Sequence, residues 1–221
     1  MKKKNLNKSP KINNKKELTA NKIKVLKESA LILIRERNLK EASSIYKKLI
    51  HHGVNDYDVF TNLALIEKNF DKGKAIKLLM KSIILNPQSV IAYYNLGNIL
   101  VELERLDQAI NCYENALKID LKLIEAYINL GNIYLIKENH EKAIEVFKKA
   151  LEINPKNHQV YMSLGNTYKA KGELKEALKL YQEAIRINPN ILDAYVNMSL
   201  THLLGGNYIL GWKYYEYRMK T

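Results

Sequence analysis

Apolar residues along the chain recur at intervals of three and four, the spacing that gathers side chains on one face of a helix. Between residues 124 and 157, Ile124, Tyr127, Leu130, Gly131 and Tyr134 follow it, and after Lys137-Glu-Asn139 so do Ala143, Ile144, Phe147, Ala150 and Leu151. Asn154-Pro155 predicts the end of the second helix, because proline pushes the residue before it out of helical geometry. Such a hairpin cannot bury its own apolar face. It needs neighbours of the same kind.

The neighbours are present. Tyr93-Tyr-Asn-Leu-Gly-Asn98, Tyr127-Ile-Asn-Leu-Gly-Asn132 and Tyr161-Met-Ser-Leu-Gly-Asn166 stand 34 residues apart, Tyr195-Val-Asn-Met-Ser-Leu200 continues them, and Phe60-Thr-Asn-Leu-Ala-Leu65 precedes them by 33. A second marker keeps phase: Ala109, Tyr113 and Ala116; Ala143, Phe147 and Ala150; Ala177, Tyr181 and Ala184. Pro87, Pro155 and Pro189 close their units, and Ala42, Tyr46 and Leu49 mark a weaker one upstream. The reading is units at 23–56, 57–89, 90–123, 124–157, 158–191 and an incomplete 192–221, behind a leader at 1–22.

The pattern Leu-Gly-x-x-Tyr, Ala-x-x-x-Phe, Ala, Pro is carried in full by Leu130, Gly131, Tyr134, Ala143, Phe147, Ala150 and Pro155, and it resembles the tetratricopeptide repeat. The resemblance implies an all-α fold, a right-handed superhelical solenoid of about six antiparallel helix hairpins. Three positions depart from it: Leu121 stands where proline is expected, Leu100 replaces the aromatic, and Ser29 replaces a leucine. Gly97, Gly131 and Gly165 are expected where the two helices of a hairpin cross, facing Ala109, Ala143 and Ala177. Tyr113, Phe147 and Tyr181 are expected in the core between hairpins.

In that family the first helices of successive units line a concave surface. Immediately before the leucine stand Asn62, Asn95, Asn129 and Asn197, with Ser163 and Glu28 as exceptions; immediately after the glycine stand Asn98, Asn132 and Asn166. Asparagine is a poor helix former, so its return in mid-helix opposes local propensity. A carboxamide offers one donor group and one acceptor, as a peptide bond does. A ladder of them would grip an extended backbone with little regard to sequence, and it is similar to the asparagine-lined superhelix of O-linked N-acetylglucosamine transferases. Family consensus in an asparagine-rich chain is the competing account. The positions where chaperone-adaptor members carry basic residues to clamp a terminal carboxylate hold Tyr94, Ile128, Met162 and Val196, so that clamp is not expected.

Charge adds one qualification. The net charge is +13, but residues 1–22 hold eight lysines and one glutamate, while the other 199 residues hold 28 basic and 22 acidic side chains. The leader is expected to be a disordered basic tail, either a solvated one or one that touches nucleic acid or an anionic surface. The repeats lack a regular stripe of Lys or Arg along the groove positions, which ranks nucleic-acid binding last.

Catalytic chemistry finds no constellation. His51 and His52 are adjacent and splay about 100° apart on a helix. His140-Glu141 lacks the second histidine of a zinc motif, since Ile144 stands there, and no phosphate loop occurs. The lone Cys112 has no histidine at helical spacing and allows no internal disulfide, consistent with a cytoplasmic location. Ala30 to Ile34 is the densest apolar stretch and is too short to span a bilayer. The expected partners are proteins or peptides, with no cofactor, no metal, no membrane insertion and no enzyme activity.

Near the carboxyl end, Gly211, Trp212, Tyr215, Glu216 and Arg218 resemble the closing run of bacterial arrays that lead into a glycosyltransferase domain. Arg218 replaces the small residue that would dock a further hairpin. The alternative expectation is therefore the substrate-recognition arm of a larger transferase, with this chain a truncated form.

Overall fold

The computed structural model describes residues 18–219, and among these the chain is helical with turns between. Two compact units divide after Asn86. The first holds α1 (Ala20–Arg35), α2 (Leu39–His51), α3 (Tyr57–Glu67) and α4 (Lys72–Leu85). The second holds α5 (Val90–Glu102), α6 (Leu106–Ile119), α7 (Ile124–Ile136), α8 (His140–Ile153), α9 (His158–Ala170), α10 (Leu174–Ile187), α11 (Leu192–Leu204) and α12 (Tyr208–Tyr215), closed by a 3-10 turn at Glu216–Met219. Within each unit consecutive helices pair as hairpins and each hairpin packs on the next. α1 begins at Ala20, inside the leader drawn at 1–22, because the Thr19 side chain accepts from Lys22 N and caps the helix. The rest of the predicted tail, residues 1–17, lies outside the described residues.

Turn chemistry repeats with the period. Asn154 and Asn188 end their helices in extended geometry (φ −133° and −131°), as a following proline demands. Asp120 adopts the same conformation, φ −126° and ψ 98°, with Leu121 in place of proline. Its Oδ1 accepts from Lys122 N at 2.9 Å, as Asn154 accepts from Lys156 N and Asn188 from Asn190 N. The acidic side chain thus shapes the turn without the ring, so the missing proline leaves the repeat geometry intact. Between the two helices of a hairpin, Glu104, Glu138, Gly172 and Gly206 share one left-handed position, with φ of 57°, 56°, 82° and 76°.

In the first unit the core is Ala30, Ala42, Tyr46, Leu49, Val59, Leu63 and Ile66. Ser29, where leucine was expected, donates its hydroxyl back to Val25 O at 2.9 Å. Glu67 is the charged member of this interior. Its carboxylate meets Lys47 at 2.7 Å, Lys74 at 3.0 Å and the Ser43 hydroxyl at 3.1 Å, joining α2, α3 and α4. Burial alone would raise its pKa, but the two lysines and the serine outweigh burial and hold it at about 2.

In the second unit a core ring lies against each of the repeat glycines. A Cβ built on Gly97, Gly131 or Gly165 would stand 2.7, 2.5 or 2.6 Å from the ring of Tyr113, Phe147 or Tyr181. With no Cβ, these glycines leave the room that the rings occupy. The rings are buried as expected, at 1%, 0% and 0% exposure. One period beyond Gly165 stands Ser199, whose hydroxyl donates to Gly211 O at 2.8 Å and ties α11 to α12.

Candidate functional site

The first helices of the second unit's hairpins share one face: α7 meets α9, and α9 meets α11. On that face lies a hollow of about 590 Å³ whose walls include Tyr94, Ile128 and Met162, the amide and hydroxyl of Asn129 and Ser163, and Glu125, Gln159 and Asp193. Each group steps by 34 residues, so every position of the repeat contributes a stripe across the helices. Glu125, Gln159 and Asp193 occupy the first turns of α7, α9 and α11 and form one edge. The middle stripe is Tyr94, Ile128 and Met162. The amides follow one position later.

Of the seven asparagines drawn from the sequence, Asn62 belongs to α3 of the first unit, half-buried, and the other six to the second. Asn98 and Asn129 come together. Asn98 Oδ1 accepts from the Tyr113 hydroxyl at 2.7 Å and from Asn129 Nδ2 at 3.0 Å, and Asn129 Nδ2 also reaches Tyr113 Oη at 3.3 Å. Asn166 Oδ1 accepts from Tyr181 at 2.8 Å. Asn95 turns its amide nitrogen to its own helix at Ile91 O, 2.8 Å away. Asn197 Oδ1 accepts from Lys169 Nζ at 3.2 Å. Asn132 has no side-chain partner among the described residues, since Phe147 beneath it lacks a hydroxyl.

The asparagines are therefore partly spent inside the protein, which the sequence reading did not foresee. A signal for it existed. Sixteen residues separate Tyr113 from Asn129, Tyr181 from Asn197 and Tyr46 from Asn62, whereas sixteen residues after Phe147 stands Ser163. Where the core ring carries a hydroxyl, the next hairpin carries an amide. Of these asparagines, Asn129 lines the hollow, and its Oδ1 is left over from the bonds that its Nδ2 makes to Asn98 and Tyr113.

Burial pushes Tyr113 and Tyr181 well above the usual phenol range, so their hydroxyls stay protonated donors to Asn98 and Asn166. Burial likewise raises the Cys112 thiol to about 11, far from the thiolate that a nucleophile requires. Desolvation lowers Lys169, whose ammonium has Asn197 and no carboxylate for a partner among the described residues. Desolvation also lowers His202, which stacks on Tyr214 at 5.6 Å between ring centres. Among the described residues no group of three His, Cys, Asp or Glu stands at metal-binding distance, and no helix is long and apolar enough to cross a membrane.

The chain is similar in fold to solved tetratricopeptide structures. A tetratricopeptide repeat protein from Parabacteroides merdae shares 20% identity at a TM-score of 0.78, covering 88% of this chain and 77% of its own. Pseudomonas aeruginosa PilF shares 17% at 0.72, covering 87% and 88%. YrrB, a TPR protein with an unusual peptide-binding site, shares 22% at 0.64, covering 79% and 91%. Among curated proteins none matches the sequence. The family model for the tetratricopeptide repeat matches residues 88–156 and 122–190. Those matches lie on the same stretch as the seated rings, and residues 88–190 are tetratricopeptide repeats.

Proposed function

We propose that the chain is a protein-interaction scaffold whose second unit holds an extended polypeptide segment in the hollow across α5, α7, α9 and α11. The observation that carries this reading is the stepped wall: an apolar stripe of Tyr94, Ile128 and Met162 beside the polar side chains of Asn129 and Ser163. A segment laid across helices roughly 10 Å apart presents a new peptide group at each helix about every third residue. The apolar stripe supplies affinity by removing side-chain surface from water, and the amides supply registration. Peptide binding by YrrB, a protein of the same fold, supports the reading as analogy.

On this reading the chain binds and does not catalyse, and a cytoplasmic partner is expected. The test is capture of binding proteins on the intact chain, followed by titration of the peptide that maps to the contact. Replacing Asn95 and Asn129 together by alanine should weaken that peptide about tenfold while helicity is retained. Unchanged affinity in the double variant would refute the role of the amides.

A further inference from the structure

We propose that this groove selects extended segments that place lysine or arginine beside an apolar residue, an inference that rests on the peptide-binding reading above. The edge formed by the first turns of α7 and α11 carries Glu125 and Asp193, both exposed, with neutral Gln159 between them in register. Neither carboxylate has an ion-pair partner among the described residues, so neither is neutralised by a lysine or arginine of the chain. No lysine or arginine lines the hollow among the described residues. In a chain of net charge +13, the charged residues that line the hollow are the acids Glu125 and Asp193. A cationic segment is repelled by the protein as a whole and attracted here, so the groove would sort segments by charge as well as shape.

The geometry also sets a spacing. Glu125 and Asp193 stand two hairpins apart, roughly 20 Å at about 10 Å per helix, which an extended chain covers in about six residues. The best ligand carries two cations at about that interval, with apolar side chains between them that settle on Ile128 and Met162.

The experiment uses the full chain and three synthetic peptides of about twelve residues on one leucine-containing frame, with lysine, glutamine or glutamate at two positions about six apart. Fluorescence anisotropy should rank lysine above glutamine by about five- to tenfold, with glutamate weakest, and the gap should shrink as salt rises. The Glu125→Gln, Asp193→Asn double variant should erase the lysine preference and leave the glutamine peptide unchanged. Equal binding of the lysine and glutamine peptides overturns the charge selection and leaves the groove reading standing. Binding of none of the three overturns both. A lysine preference that survives the double substitution overturns the assignment to these carboxylates. Self-association of the free chain that the double substitution abolishes would seat a second copy's lysine-rich leader there and overturn the assignment to a separate partner.

Discussion

The Tyr113 hydroxyl donates to Asn98 Oδ1 at 2.7 Å, across the two helices of one hairpin. Asn129, on the following hairpin, donates to the same oxygen at 3.0 Å. One acceptor thus gathers a core tyrosine and an amide from the neighbouring repeat, so a bond that closes one hairpin also docks the next.

Removing the hydroxyl should therefore loosen the contact between hairpins as well as the one within. Tyr113→Phe is expected to lower stability by about 1 kcal/mol, modest because Asn98 is half-exposed and water can replace the donor. The chain contains its own control at Phe147 and Ser163, where the ring hydroxyl and the amide are both absent. Adding Asn129→Ser to Tyr113→Phe should cost less than the two single changes summed, with a coupling of about 0.5–1 kcal/mol in urea titrations. Strict additivity would show that the three side chains act independently.

Gly131 lies under Phe147 so closely that an added Cβ would fall 2.5 Å from the ring. In an exposed helix, glycine to alanine gains about 1 kcal/mol from propensity. Here the overpacking should exceed that gain, and Gly131→Ala is expected to destabilise by about 1–2 kcal/mol net. Shrinking the ring in Gly131→Ala, Phe147→Leu should recover part of the loss. If the single variant melts at or above the parent temperature, the ring has moved at no cost and the account of the glycine is wrong.

Much of this architecture could be read before any coordinates. The 34-residue step, the Asn-Pro helix ends and the buried Tyr113, Phe147 and Tyr181 all follow from periodicity and turn chemistry, which are local properties. The rings against the glycines were not foreseen, because periodicity names the face of a helix and not every side chain that meets it from the opposing helix. The asparagines were legible as a stripe, but their commitments were not. Whether Asn98 Oδ1 is free depends on residues 15 and 31 positions away, through bonds that only the crossing angle brings within reach. Glu67 was invisible for the same reason, since its lysines lie on two other helices.

Glu67 makes the first unit acid-sensitive. Its folded pKa of about 2 lies below the ordinary 4.5, so its ionised form is favoured in the fold. The stabilisation is complete above the unfolded value and is lost as pH falls from about 4.5 toward 2. The shift corresponds to about 2 kcal/mol once solvent at the half-exposed lysines is allowed for. Glu67→Gln should lower stability at neutral pH by at least that amount and flatten the acid limb of the stability curve. An acid limb unchanged in the variant would place the sensitivity elsewhere.

The left-handed position between the helices of each hairpin in the second unit is filled by glutamate at Glu104 and Glu138 and by glycine at Gly172 and Gly206. An L side chain at positive φ costs about 1 kcal/mol against glycine, part of which glycine returns as lost chain entropy on folding. Glu138→Gly is accordingly expected to stabilise by about 0.5 kcal/mol and Gly172→Ala to destabilise by about 1 kcal/mol, although nothing lies within 4 Å of a Cβ at Gly172. Because space is open there, any loss in Gly172→Ala comes from the backbone alone. The reciprocal pair of changes measures the same dihedral from both sides, so a gain in one without a loss in the other would show that packing, not φ, governs the turn.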